Sequence, residues 1–332
     1  MRIFLRSVSL FFLLLSSLAA QSQTMDWGWS RSYGSTGNES INCIATDSKN
    51  GIYATSRFSG DLQVGTYNFT SMGGQDFILM KHDTSGNLIW AKAFGGAGND
   101  IETALSTDAD GNVLVGGHFD GTINFDAFSL TSSGSLDGFV AKINSSGTVI
   151  WVKKVGGNDW DIIDVLKCYR NDIYIGGRYF STDFSIDGNV LTKTHAQHNF
   201  LARLNDNGIG LWAAKGSGTR AGESENFPFN DIEISDDHVV QYFGYLYTSQ
   251  VNFNPSNTFG MSSLTWQSAY RVKFTTDGVF MNQNVTGLGA RGIAGKVGMG
   301  TNKKVVYTGL NTTLTNTLVN AAMVKRDSLD AT

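Results

Sequence analysis

Four tryptophans, Trp29, Trp90, Trp151 and Trp212, stand 61 residues apart without a slip. The surrounding text repeats in the same frame. Gly86-Asn-Leu-Ile-Trp90 corresponds to Gly147-Thr-Val-Ile-Trp151 and to Gly208-Ile-Gly-Leu-Trp212. Upstream, Phe77-Ile-Leu-Met-Lys81 matches Phe139-Val-Ala-Lys142 and Phe200-Leu-Ala-Arg203. Downstream, Tyr33-Gly-Ser-Thr-Gly-Asn-Glu39 matches Phe94-Gly-Gly-Ala-Gly-Asn-Asp100 and Val155-Gly-Gly-Asn-Asp-Trp-Asp161. A further block, Asp110 to Gly117, has relatives at Lys49 to Thr55 and Asn171 to Gly177. Blocks held in one register at a fixed period are the signature of a repeat architecture.

Each unit holds about four short apolar runs separated by Gly, Asn, Asp and Ser, the pattern of strands and tight turns. Several runs, such as Val113 to Val115 and Phe139 to Ala141, are apolar at consecutive positions. That calls for burial on both faces of a sheet. A propeller blade between two neighbours has this need, whereas a solenoid coil is shorter and helical repeats would show a period of 3.6. The expected fold is all-β: a β-propeller of five blades of four strands. In the second unit the strands are expected at Glu102 to Thr107, Asn112 to Phe119, Phe139 to Ile143 and Val149 to Lys153. First strands are expected near Ser40, Ile101, Ile162, Asp231 and Gly292. The chain would begin with a lone outer strand, Asp26 to Tyr33, and end with a lone third strand, Ala322 to Arg326. The N-terminal strand would then close the ring by completing the last blade, which removes exposed edges.

At these residues the chain resembles the secreted bacterial β-propeller repeat family abbreviated SBBP. Its units read W-x3-[FY]-G-G, then D-x-x-G-N-[VI]-[YL]-[VI]-x-G, then D-x-[FV]-[VI]-x-K. The resemblance runs over nearly the whole chain after residue 20. It is clear in three units and fades in the fourth and fifth, where Asn282 stands in place of Trp. It implies a propeller, export, and a cell-envelope setting in Bacteroidetes-like bacteria. It implies no agreed catalytic residues. Relatives often carry a C-terminal sorting domain, which is not recognised before Thr332.

The first residues read as an export signal: Arg2 and Arg6, an apolar run from Val8 to Leu15, then the small residues Ser16, Ser17, Ala19 and Ala20. Residues 1–20 are therefore expected to be a signal peptide and 21–332 one domain, secreted or on the cell surface and inserted in no membrane. The formal charge of −4 comes with no basic block, which disfavours nucleic acid as a partner. Cys43 and Cys168 differ by three positions in the repeat frame, so they are expected to face opposite sides of their strands as free thiols.

No Ser-His-Asp or Cys-His arrangement can be nominated from spacing, and no catalytic residue is assigned. The Gly-rich loop Gly95 to Asp100 precedes a strand, so it reads as a crossing between blades rather than a phosphate cradle. Asp108-Ala-Asp110-Gly111-Asn112 resembles the opening of a calcium loop but lacks the distal Glu. Turn chemistry is expected there, and calcium is the only cofactor left open. His195 and His198 lack companion zinc ligands and read as a polar surface turn. The repeated tryptophans read as packing between blades rather than as a stacking ring for sugars.

Departures from the repeat carry the functional expectation. The fourth unit is the longest, with Glu223, Glu225 and Phe229 in its extra segment. These are expected beside the channel mouth with Asn38, Glu39, Asn99, Asp100 and Asp161. Carboxylates, amides and aromatics together suit a polar ligand. The expected role is a binding or scaffold module for a glycan, an envelope polymer or an envelope protein. The alternative is a glycan-active hydrolase or lyase, which would need two carboxylates across a cleft.

Overall fold

The computed structural model describes residues 29–34, 40–194, 198–218, 229–246, 251–253, 268–287, 292–300, 304–311 and 320–325. Residues 1–20, assigned above to an export signal, lie outside that set. The described residues form 26 strands and no helix. All ladders between these strands are antiparallel.

The repeat unit is a four-stranded meander. In the second unit it runs Asp100–Thr107, Val113–Phe119, Asp137–Ile143 and Val149–Gly156, each strand paired with the next. The first, third and fourth units repeat this order, and the fifth has three strands among the described residues. First strands begin at Ser40, Asp100, Asp161, Phe229 and Gly292, within two residues of the expected starts. Each of the first four neighbours the first strand of the next unit.

The unit is larger than the four strands expected. A short hairpin stands between the second and third strands: Asp61–Val64 with Tyr67–Thr70, Thr122–Phe125 with Phe128–Thr131, and Ser185–Ile186 with Asn189–Val190. Its tight turns carry Gly65, Asp126 and Asp187 at positive φ, the conformation a two-residue hairpin turn requires. The hairpin extends the preceding unit's outer strand, through Gly95↔Asn124 in one case and Val155↔Ile186 in the next.

Consecutive apolar positions do face two neighbours. Val113, Val115, Phe139 and Ala141 pack with Tyr53, Phe77 and Leu79 of the first unit. Between them in sequence, Leu114 and Val140 point the other way and pack with Ile163, Ile175 and Phe200 of the third. Phe77 stacks on Phe139 across the first of these interfaces, with centroids 5.6 Å apart.

The tryptophan series is a latch between units. The indole N–H of Trp90 donates to Ser145 O at 3.1 Å, that of Trp151 to Asp206 O at 3.0 Å, and that of Trp212 to Thr276 O at 2.8 Å. In each case the acceptor lies in the turn before the next unit's outer strand. Burying the ring and satisfying its one donor explains why the position tolerates little else. Trp29 makes the same contact, donating to Thr84 O at 2.8 Å. Gly34 bridges to Gln63, the counterpart of the Gly95↔Asn124 pair. The segment 29–34 thus stands where the outer strand of a unit preceding the first would stand. Asp26 to Gly28 lie outside the described residues. Among the described residues, Asn320–Lys325 pairs only with Lys304–Asn311.

Cys43 and Cys168 are partly buried, and no disulfide joins them. His198 corrects an expectation. It is 1 % exposed, opens the strand His198–Leu204, stacks on Tyr179 and accepts the Thr194 N–H at 2.9 Å on Nε2. It takes the buried place of Asp76 and Asp137 rather than lying in a surface turn. His195 lies outside the described residues.

Candidate functional site

An open cleft of about 520 Å³ lies where the crossings between units meet. It is lined by Gln75, Asn99, Ile101, His118, Asp120, Ser135, Leu136 and Trp160. Two equivalent corners of the fold, one from the second unit's entry and one from the third's, supply most of its wall. In the first corner, Asp100 N donates to Gln75 O at 2.6 Å and Gln75 N to Asn99 Oδ1 at 3.1 Å. In the second, Asp161 N donates to Leu136 O at 2.9 Å, and Leu136 bridges to Trp160. Gln75, Asn99, Leu136 and Trp160 each immediately precede a buried aspartate: Asp76, Asp100, Asp137 and Asp161.

These four aspartates explain the paired glycines of the repeat. A Cβ at Gly95 would lie 2.1 Å from Asp76 Oδ1, and one at Gly156 would lie 2.2 Å from Asp137 Oδ1. Only glycine leaves room for the carboxyl group behind it. Asp76 accepts the Met72 N–H at 2.5 Å and the Gly96 N–H at 3.3 Å. Asp137 accepts the Ser133 N–H at 2.7 Å and the Gly157 N–H at 3.1 Å, with Lys154 at 3.4 Å.

Asp100 and Asp161, expected at the mouth, are instead fully buried beneath it. Asp161 accepts the Gly157 N–H at 2.6 Å, the Ser181 hydroxyl at 2.5 Å and the Phe180 N–H at 3.1 Å. Burial nevertheless pushes its carboxyl up to about 6. Asp100 has no donor at hydrogen-bonding geometry among the described residues. Burial first, then the facing charge of Asp76, with Asp120 adding to it, pushes Asp100 up to about 8. Burial also raises Asp76 and Asp137. At about 8, Asp100 is largely protonated near pH 7, while Asp161 at about 6 is largely ionised.

The cleft itself has a different character. Trp160 is 50 % exposed, outside the 61-residue series and not part of the core. Asp120 is half-buried and makes no ion pair among the described residues. His118 is held down to about 4 by burial, then by Arg57 and Arg178, so the imidazole is neutral at pH 7. Both arginines are themselves compensated, Arg57 by Glu102 at 3.3 Å and Arg178 by Asp164 at 2.8 Å. An exposed indole, two amides, a hydroxyl and one carboxylate form a wall suited to stacking and hydrogen bonding with a polar ligand.

Of the residues the sequence singles out, Asn99 lines this cleft, while Asp100 and Asp161 lie behind its wall. Asn38, Glu39, Glu223 and Glu225 lie outside the described residues. Phe229 opens the strand Phe229–Ile234. Asp108 has a turn role. It accepts the Asp110 and Asn112 N–H groups at 3.0 and 2.8 Å and pairs with Lys142 at 2.8 Å. Burial works against its charge, but Lys142 and Asn112 hold its pKa below the ordinary value. Asp110 accepts Asn171 Nδ2 at 3.3 Å. Among the described residues no group of three or more His, Cys, Asp or Glu side chains is arranged to hold a metal.

Sequence reasoning missed His118, Asp120 and Trp160. Each departs from the repeat: His118 stands between Arg57 and Arg178 in the frame, Asp120 where Phe180 follows, and Trp160 where Asn99 precedes. Those breaks were the available signal.

No family model matches the chain. Over 174 residues it is 28 % identical to the regulatory protein FlaEY of Caulobacter vibrioides, a match spanning 51 % of this chain and 18 % of that protein. Over 207 residues it is 25 % identical to an uncharacterized WD repeat-containing protein, L264, of Acanthamoeba polyphaga mimivirus, covering 56 % of this chain and 15 % of that one. The chain thus spans less than a fifth of the length of these curated relatives. A solved structure of a Dyadobacter fermentans protein of unknown function covers 89 % of this chain and is 80 % covered in turn, at 11 % identity and a TM-score of 0.48.

Proposed function

We propose that the chain is an extracytoplasmic β-propeller of five blades acting as a binding module, with a glycan as ligand in the cleft beside Trp160. The observation that carries the binding role is Trp160 itself, a half-exposed indole in a polar cleft, where every tryptophan of the 61-residue series serves as a latch. Sugars present an apolar ring face and a rim of hydroxyl groups, which matches an indole flanked by Gln75, Asn99 and Ser135.

The propeller reading rests on five consecutive sheets with adjacent first strands, and the WD-repeat relative supports it. Closure is inferred from two complementary vacancies. The fifth sheet has three described strands, while 29–34 makes outer-strand contacts with the first unit and belongs to no described sheet. On this reading the first strand completes the last sheet. Removing Asp26 to Tyr33 then lowers the melting temperature sharply, and an unchanged value contradicts closure.

The export signal and the SBBP-like motifs place the protein outside the cytoplasm on this reading, at the envelope surface or free of it. The buried Asp76–Asp100 pair offers no acid or nucleophile to a ligand in the cleft, because both groups are at most 1 % exposed. Binding is therefore favoured over glycan hydrolysis. The test is an array of glycans and envelope polymers probed with the wild type and with Trp160→Ala. Selective binding lost in the variant supports the reading. Binding that survives the substitution moves the site elsewhere, and released products make the protein an enzyme.

A further inference from the structure

We propose that the cleft takes an amino sugar, its ring against Trp160 and its protonated amine at Asp120. The proposal rests on the glycan reading and deepens it by naming the ligand's charge. Two of the differences between the corners that build the cleft leave the first one more negative. Where the second corner has Lys154, paired with Asp137 at 3.4 Å, the first has Ala93. Where the second has Phe180, whose N–H donates to Trp160 O at 2.9 Å, the first has Asp120, whose N–H donates to Asn99 O at 3.3 Å. The first corner therefore gathers Asp76, Asp100 and Asp120 with no cation paired to any of them among the described residues.

A second observation points outward from the same corner. Both oxygens of Asp100, a fully buried side chain, lack a donor among the described residues. Burial holds Asp100 largely protonated near pH 7, so the carboxylate that the corner leaves without a cation among the described residues is Asp120. Asp120 is its one carboxylate on the cleft wall. The nearby basic groups do not compensate it: His118 is neutral, and Arg57 and Arg178 are paired with Glu102 and Asp164. A ligand ammonium supplies what is missing, and it does so beside an exposed indole whose face also attracts cations. A lysine side chain carries the same charge, but Gln75, Asn99 and Ser135 give the cleft more hydrogen-bonding capacity than an alkyl chain can use.

The test is calorimetric titration of the full chain with a glucosamine oligomer and with its N-acetylated counterpart, at low and high salt. The glucosamine oligomer is expected to bind at least about tenfold more tightly, the effect of one charge-assisted contact. That preference shrinks in high salt. In Asp120→Asn the two oligomers bind alike, and in Trp160→Ala both are lost. Equal affinities in the wild type, or a preference that survives in Asp120→Asn, overturn the amine assignment while leaving the glycan reading standing. Binding of neither oligomer, with capture of a lysine-rich peptide instead, overturns both. The comparison of acetylated with free amine needs no variant, so it decides the matter even if a substitution fails to fold.

Discussion

The corner at Asp76 and Asp100 and the corner at Asp137 and Asp161 occupy equivalent places in successive units, share their backbone hydrogen bonds and bury their carboxyl groups alike. Their electrostatics are opposite. Asp161 is surrounded by donors from Gly157, Phe180 and Ser181, and Asp137 has Lys154 for a partner. Asp100 meets the carboxyl groups of Asp76 and Asp120, which raise its pKa, against the Gly96 N–H alone, which lowers it without reaching full hydrogen-bonding geometry. The repeat conserves the shape of a corner without conserving its charge. Shape is what lets one sheet pack on the next, so charge is free to change where a ligand requires it.

The largest expected difference is between alanine substitutions. Asp161→Ala removes the acceptor of three or more buried donors and should cost about 2–4 kcal/mol, within the range for a broken buried network. Asp100→Ala removes a group with no donor and should cost no more than about 1 kcal/mol, the effect of a small cavity. Urea denaturation at pH 7 compares the two. Equal costs would mean that the corners are not electrostatically distinct.

Ser181→Asp puts a carboxylate beside Asp161, as Asp120 faces Asp100 in the first corner. It replaces a donor to Asp161 with a carboxylate, and a loss of about 2 kcal/mol at pH 8 is expected, with a smaller loss at pH 5. A loss independent of pH would point to crowding alone. Thermal unfolding at the two pH values separates the cases.

Asp100→Asn gives an effect visible only against pH. Asp100 titrates near 8 in the folded chain and at about 3.9 when unfolded. Between those values the folded state binds more protons, so this group's contribution to stability falls as pH rises from about 4 to about 8, and the loss is complete above that. The asparagine variant does not titrate there. Relative to the wild type, its stability should rise from pH 5 to pH 9 by on the order of 4 kcal/mol, the linkage of about three pH units. Parallel curves would contradict the raised pKa.

Much of the scaffold was legible in the sequence because packing between sheets demands the same residues at every turn of the repeat. Trp90 and Trp151 are written alike because each must fill one gap and reach one turn carbonyl. The hairpins were harder to see, since Thr122–Phe125 and Phe128–Thr131 are only four residues each and bury one face, leaving a weak alternation. The candidate site was legible only in part. Asn99 was found because it belongs to a repeated block. Asp100 and Asp161 were read as mouth residues because nothing in the text distinguishes a carboxylate facing solvent from one folded under a paired glycine. His118, Asp120 and Trp160 come from separate segments and meet only through the stacking of two units. Their common property, departure from the frame, becomes meaningful once that meeting is known.

The most direct test is a side-chain carboxyl NMR titration that resolves Asp100 and Asp161 in the wild type and in Asp120→Ser. The account predicts midpoints near 8 for Asp100 and near 6 for Asp161. In the variant, which removes the Asp120 charge that raises Asp100, the Asp100 midpoint should move down. Midpoints for both groups in the ordinary carboxylate range, or an Asp100 midpoint indifferent to Asp120, would contradict the claim that the repeat preserves the shape of these corners while their charge diverges.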